Sequence, residues 1–221
     1  MAWADYFWPD STVLRNKLGI TDAEELRNAE YRLVAVRQAE ITRGGAAITE
    51  TFDAEHLKSL HGWLFQDVYD WAGRYRDVAI SKLTGFAPVD RIDDCLDRAA
   101  GLVSDTRWQG ISDTRFAHAA AEVFAWVNYA HPFREGNGRA SRAFMDAVAV
   151  KSGRWLDYSG VSEAVWVQRT AFSVPDLDQD RPQHHWLVPV FAAVTRHQVV
   201  AQELPELGRA RERDSGYDVG L

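Results

Sequence analysis

The sequence predicts a single, mainly α-helical domain that carries one short β-hairpin. Three observations support that expectation. Apolar residues recur at helical spacing through most of the 221 positions. Strand-like alternation is confined to one stretch, RYRDVAISKLTGFAP, at 74–88. Hydrophobic residues make up 46% of the chain and nine residues are tryptophan, enough for a sizeable core.

The elements follow in order. Thr21 and Glu24 have capping-box spacing, and Leu26, Ala29, Leu33 and Val36 form the stripe of a first helix to about Ile41, stopped by Gly44 and Gly45. Asp53 caps a second helix, with Phe52 and Leu57 placed as a hydrophobic staple. Its apolar face is Leu57, Leu60, Leu64 and Val68, and Gly73 is its expected terminator. In the hairpin, Val78 and Ile80 alternate with polar neighbours, and Leu83, Thr84 and Gly85 supply the turn.

Helical period resumes with Ile92, Cys95, Ala99 and Leu102, and again with Phe116, Ala120, Val123 and Val127. A fifth helix starts near Asn137 and runs to about Lys151, where Ser152 and Gly153 end it. Two more are expected at roughly 162–172 and 186–201. The closing ELGRARERDSGYDVGL is charged and aperiodic, so the tail is expected to fray.

Composition narrows the function classes. A net charge of −7 makes the chain a poor partner for a phosphate backbone, so no direct nucleic-acid binding is expected. Cys95 is the only cysteine, which rules out an intrachain disulfide and a cysteine zinc cluster. The opening MAWADYFWPD has acids and a proline where a signal peptide needs a basic start and an apolar run. No stretch approaches the length of a membrane span. The expectation is a soluble, cytoplasmic protein with no membrane partner.

One stretch concentrates chemistry. HPFREGNGR, at 131–139, is followed by Arg142. If Asn137 opens a helix, its unpaired backbone N–H groups and positive dipole end make an anion site. Gly136 and Gly138 let a phosphate approach the backbone. Arg139 and Arg142 are three apart, share a face and can both lean back over the anion, which suits a polyphosphate. Glu135 beside that nest needs a cation between itself and the phosphates, and Mg²⁺ is the usual one with nucleotides. His131 lies across the loop, and the unperturbed histidine pKa near working pH is what a general base needs. The residues together imply phosphoryl or nucleotidyl transfer. Taken singly, the histidine reads as a satisfied core residue and the arginines as a solvated face; a merely structural loop has no need of all of them at once.

Other signals are set aside. Asp176, Asp178 and Asp180 imitate a calcium loop, but Arg181 and Leu187 stand where glycine and glutamate are required. His184 and His185 lack a further ligand at useful spacing, and His56 and His61, five apart, do not share a helix face. His118 reads as a helix-surface or packing residue. Trp63, Trp71 and Trp126 read as core or interface, and Cys95 as structural.

The stretch resembles the Fic family motif H-P-F-x-[D/E]-G-N-G-R-x-x-R, matched by His131, Pro132, Phe133, Glu135, Gly136, Asn137, Gly138, Arg139 and Arg142. LHGWLFQDVYDWAGRYR and ISKLTGFAPV are similar to the family's upstream helix and flap, so the resemblance spans roughly 50–155. It implies an N-terminal helical extension at 1–48, a Fic domain at 49–200 and a flexible tail at 201–221. The implied activity is transfer of AMP from ATP to a hydroxyl side chain of a target protein. By family role His131 is the base, Glu135 holds Mg²⁺, Gly136, Asn137 and Gly138 bind phosphates, and Arg139 and Arg142 hold the outer ones. Ile80, Ser81 and Lys82 of the flap would pair with an extended target segment.

A phosphotransferase branch of the family carries lysine where Gly138 stands, so the glycine speaks for AMP transfer. The family's inhibitory pattern, [S/T]-x-x-x-E-[G/N], is absent here: Glu135 is the only glutamate followed by Gly or Asn. A separate small antitoxin is therefore expected to supply a glutamate to Arg142, as for similar bacterial toxins, whose targets include ATPase subunits of type II topoisomerases. A rival reading is a non-catalytic nucleotide-binding adaptor.

Overall fold

The computed structural model describes residues 3–80, 85–176 and 179–197. Seven α-helices lie among them: α1 (Ala23–Thr42), α2 (Ala54–Phe65), α3 (Ile92–Asp105), α4 (Asp113–Ala130), α5 (Asn137–Val150), α6 (Glu163–Phe172) and α7 (Val188–Val194). Two short strands, β1 (Arg154–Leu156) and β2 (Thr195–His197), pair antiparallel with Arg154 opposite His197. The all-α expectation holds. No helix among the described residues is long and apolar enough to cross a membrane.

The helix at the centre is α4. Phe116, Ala117, Ala120, Ala121, Val123, Phe124, Ala125, Val127 and Ala130 are all buried, so it is apolar on nearly every side. Its alanines let α3, α5 and α7 approach closely, while Phe116 and Phe124 supply bulk, each worth about 2 kcal/mol of burial. α2 packs on α5, and α1 closes the outside of α2.

Several boundaries differ from the sequence reading for local reasons. The N-cap of α1 is Asp22, whose carboxylate accepts from the Glu24 and Glu25 N–H groups at 3.0 and 2.8 Å. A carboxylate one position later displaces the Thr21 box because it satisfies two orphan donors and favours the positive dipole end. The inner face of α1 is Leu26, Ala29, Glu30 and Val34; Val36 is exposed. A carboxylate thus faces the core. α2 begins at the Asp53 cap as expected but stops at Phe65, whose carbonyl takes the Val68 and Tyr69 N–H groups in a tight turn. Gly73 ends no helix. It has φ +79°, and a Cβ there would lie 3.2 Å from the Lys58 carbonyl oxygen and 3.3 Å from Gly62 Cα, so it marks a close crossing of backbones.

α7 stops at Val194 instead of continuing toward 201. Thr195 turns its hydroxyl back to the Phe191 carbonyl at 2.5 Å, Asp157 N–H donates to Val194 O at 2.7 Å, and the chain then pairs with β1. The expected hairpin has its turn, with Ser81 and Lys82, outside the described residues. Of its described flanks, 74–80 and 85–88, Gly85 is a bridge residue and the others are outside any strand; β1 and β2 lie elsewhere in the chain. The tail from 198 onward also lies outside the described residues.

Gly73→Ala is expected to lower stability by about 1–2 kcal/mol, the cost of a left-handed alanine plus the tight contact, measured by urea unfolding.

Candidate active site

The site is built where α4 ends and α5 begins. His131 caps α4 in the left-handed region, φ 39° and ψ 57°, with its N–H still reaching Val127 O at 3.2 Å. Pro132 cannot continue the helix, so the chain turns away. The His131 ring lies flat on Phe86, centroids 3.6 Å apart and 14° between planes. A non-glycine residue held in this conformation is strained, and such strain gathers at functional sites.

The loop from 132 to 136 is fixed from both sides. Phe133 is fully buried against His61, with ring centroids 3.8 Å apart. The Asn137 carboxamide accepts from Phe133 N–H at 2.8 Å and donates to Phe133 O at 2.7 Å, so it closes the loop on itself. What Asn137 can offer an anion is its backbone N–H, which with that of Gly138 precedes the first helical bonds of α5, Arg139 and Ala140 N–H to Gly136 O. The two glycines divide. A Cβ at Gly136, φ +80°, would fall 2.3 Å from the Phe65 ring, so this glycine exists for packing; a Cβ at Gly138 would meet open space, where a ligand can approach.

Arg76 ties the loop to the base of the flap. Its guanidinium donates from Nε to His131 O (2.8 Å), from Nη1 to Val78 O (3.0 Å) and from Nη2 to Ala87 O (2.5 Å) and Ala130 O (3.2 Å). Its backbone N–H meets Pro132 O at 2.8 Å, and the residue is buried. Burial pulls its pKa below the usual arginine value, yet arginine stays charged. The carbonyls of Ala130, the last residue of α4, and of its cap His131 are thereby satisfied.

His61 is the second brace. Gly73 N–H donates to its Nδ1 at 2.9 Å, and its Nε2 lies 3.0 Å from Glu135 O, which fixes the neutral tautomer with the proton on Nε2. Burial pushes its pKa down to about 3, and Arg139 adds to the effect. Neither His61 nor Arg76 stood out in the sequence as a site residue. Their partners, 74 and 55 positions away, leave no local signal.

A cavity of about 680 Å³ opens over this loop. His131, Glu135, Asn137, Gly138 and Arg142 line it, with Ile80 and Phe86 at the flap side. Phe124, Val161, Trp166 and Val167 also line it, with Asn128, Glu163 and Thr170 among them. Arg142 bonds back to Gly138 O at 3.2 Å, and its guanidinium lies 5.7 Å from the Tyr158 ring centroid. Beneath it, burial raises the Asp146 pKa to about 7 while Tyr158, hydrogen-bonded to that carboxyl, and Arg142 oppose the rise.

Gly136 and Arg139, expected to address the same anion, are not among the residues that line the cavity. Arg139 is turned to Glu30 of α1, with Nη2 to Oε1 at 2.5 Å, and lies over the Phe65 ring at 4.6 Å. Glu135 Oε1 accepts from Gly136 N–H at 3.0 Å, and the carboxylate faces the cavity. Among the described residues no three His, Cys, Asp or Glu side chains gather as a metal cage. One hard carboxylate beside a phosphate nest fits Mg²⁺ that takes its other oxygens from the nucleotide and water. His56 and His61 are both buried in α2, and Cys95 is buried as expected.

An all-helical frame that sets a histidine at the end of one helix over the start of the next defines a class, the helical proteins organised around the HPFx[D/E]GNGRxxR loop. A family model described as Fic/DOC family matches residues 51–149, and the chain belongs to that family. It is 32% identical over 167 residues, 74% of this chain and 80% of the relative, to the probable protein adenylyltransferase Fic of Salmonella typhimurium. The BepC protein of Bartonella tribocorum, a VirB-translocated effector solved with bound AMPPNP, superposes with a TM-score of 0.75 at 25% identity, covering 88% of this chain and 98% of that one. The N-terminal Fic domain of a Bartonella quintana effector, solved with bound ADP, gives 0.76 at 26%, covering 88% and 96%.

Two outcomes are expected from this geometry. Arg76→Met should lower the unfolding free energy by about 3 kcal/mol or more, because it strands several buried carbonyls. His61 makes a pH signature. The unfolded imidazole protonates near pH 6.5 and the folded one only near 3, so stability is lost as pH falls through that window. Urea unfolding of the wild type should therefore weaken between pH 7 and pH 4.5 more steeply than that of a His61→Gln variant.

Proposed function

We propose that this protein is an adenylyltransferase that moves AMP from Mg-ATP to a hydroxyl side chain of a target protein. The observation that carries the reading is the placement of His131, the α5 start and Arg142 around one cavity of nucleotide size. A triphosphate laid on the Asn137 and Gly138 N–H groups meets the helix dipole, and Arg142 reaches its outer phosphates. The aromatic lining residues Phe124 and Trp166 suit the flat base. The nucleotide-bound relatives and the adenylyltransferase name of the Salmonella relative support the same reading.

The reaction balances simply. His131 takes the proton of the acceptor hydroxyl, whose oxygen attacks the α-phosphorus; the bond to the bridging oxygen breaks and pyrophosphate leaves. Mg²⁺ held by Glu135 supplies charge neutralisation on the phosphates when bound. The left-handed turn at His131 and the Phe86 stack fix the imidazole, while Arg76 holds the peptide that carries it. The flap segment with Ile80, Ser81 and Lys82 is proposed to receive the target strand.

The chain is further proposed to act as the toxin of a pair, restrained by a small antitoxin whose glutamate reaches Arg142. Two features support this. Glu135 is the only glutamate followed by Gly or Asn, and α6, beside the cavity, has no fully buried residue while exposing Val165, Val167 and Phe172.

ATP labelled at the α position should transfer label to protein in a cell lysate, and γ-labelled ATP should not. His131→Ala should reduce transfer by about a hundredfold or more. Label arriving only from the γ position overturns AMP transfer, and transfer unchanged by His131→Ala overturns the catalytic assignment.

A further inference from the structure

The motif arginine Arg139 leaves the cavity for a partner on the N-terminal helix. Glu30 is one of four buried residues of α1. Its Oε1 meets Arg139 at 2.5 Å, and its Oε2 accepts from the Tyr69 hydroxyl. Tyr69 is itself set by stacking on Trp71, centroids 4.2 Å apart, and burial drives its pKa upward, so it remains a donor at any working pH. The Glu30 side chain is 11% exposed and that of Arg139 28%. A carboxylate this enclosed requires its cation and its hydroxyl donor. Arg139 is also stacked on Phe65, the ring that Gly136 abuts.

The same Nη2 of Arg139 also lies 3.9 Å from Oε1 of Glu135, which already accepts from Gly136 N–H. One guanidinium nitrogen therefore links two carboxylates, the buried one on α1 at 2.5 Å and the cavity-lining one at 3.9 Å. We infer that Glu30 is a positioning residue of the reaction: through Arg139 it orients the Glu135 carboxylate, and Arg142 alone among the two motif arginines holds the outer phosphates. This deepens the nucleotide-transfer reading and rests on it. It also makes the N-terminal helix a working part of the site.

The test compares Glu30→Gln, Arg139→Gln, the double variant, Arg142→Gln and Tyr69→Phe in the full chain. Binding of ATP and of AMP is measured by calorimetry, and AMP transfer by label incorporation. Arg142→Gln should weaken ATP relative to AMP by about tenfold or more, whereas Glu30→Gln and Arg139→Gln should leave that ratio within about twofold. Glu30→Gln, Arg139→Gln and the double variant should share one loss in kcat of about tenfold or more, with KM for ATP within about twofold. Tyr69→Phe, which keeps the ring and removes one bond to Glu30, should fall in the same direction by less. The inference is overturned if Arg139→Gln weakens ATP as Arg142→Gln does, or if the Glu30 and Arg139 losses multiply. Should the wild type transfer no AMP, the transfer reading fails by itself, and the ATP-to-AMP binding ratios still decide whether Arg139 holds phosphate.

Discussion

The buried Arg76 guanidinium is the interaction on which the site depends. It joins three segments that sequence separates: the end of α4, the loop after it, and both sides of the flap base at Val78 and Ala87. Among the described residues its hydrogen-bond acceptors are all backbone carbonyls, so it reads the course of the chain without regard to neighbouring side chains. A charged group without a carboxylate partner in the interior is tolerable only when such dipoles surround it. The consequence is that His131 and the flap share one anchor, and the imidazole cannot shift without disturbing the surface proposed to receive the target.

His61 performs a similar service one layer further out. A neutral imidazole that accepts from Gly73 and bonds to the Glu135 carbonyl joins α2, the turn after it and the motif loop. Phe133 and Trp71 stack on it, so the brace is apolar in its faces and polar only at its edge. The site is thus braced where it meets the core, and His131, Glu135 and Arg142 line the cavity.

Much of this was legible in the sequence where function is local. His131, Glu135, Asn137, Gly138 and Arg142 fall within one helix end and one helix start, so spacing alone brings them together. The helices of the core were readable for the same reason: periodicity is a short-range property. What escaped was set by distant contacts. Glu30 looks like any surface acid of an amphipathic helix until Tyr69 and Arg139 cover it, and no local spacing announces that Arg139 pairs with it. The short sheet escaped because β1 and β2 meet across about forty residues and are only three residues long each.

The Phe65 ring carries a consequence of its own. Gly136 presses on it because nothing larger fits, and Arg139 lies over it as a cation on an aromatic face. A single side chain of α2 is therefore the common floor for a backbone turn and a charge that sequence places three residues apart. Inheritance at position 65 cannot be free: a smaller residue would open a hollow under the turn and strip the guanidinium of its platform in one step. Positions 65, 136 and 139 should drift through descent as a set, even though the familiar pattern of the family counts just the last two.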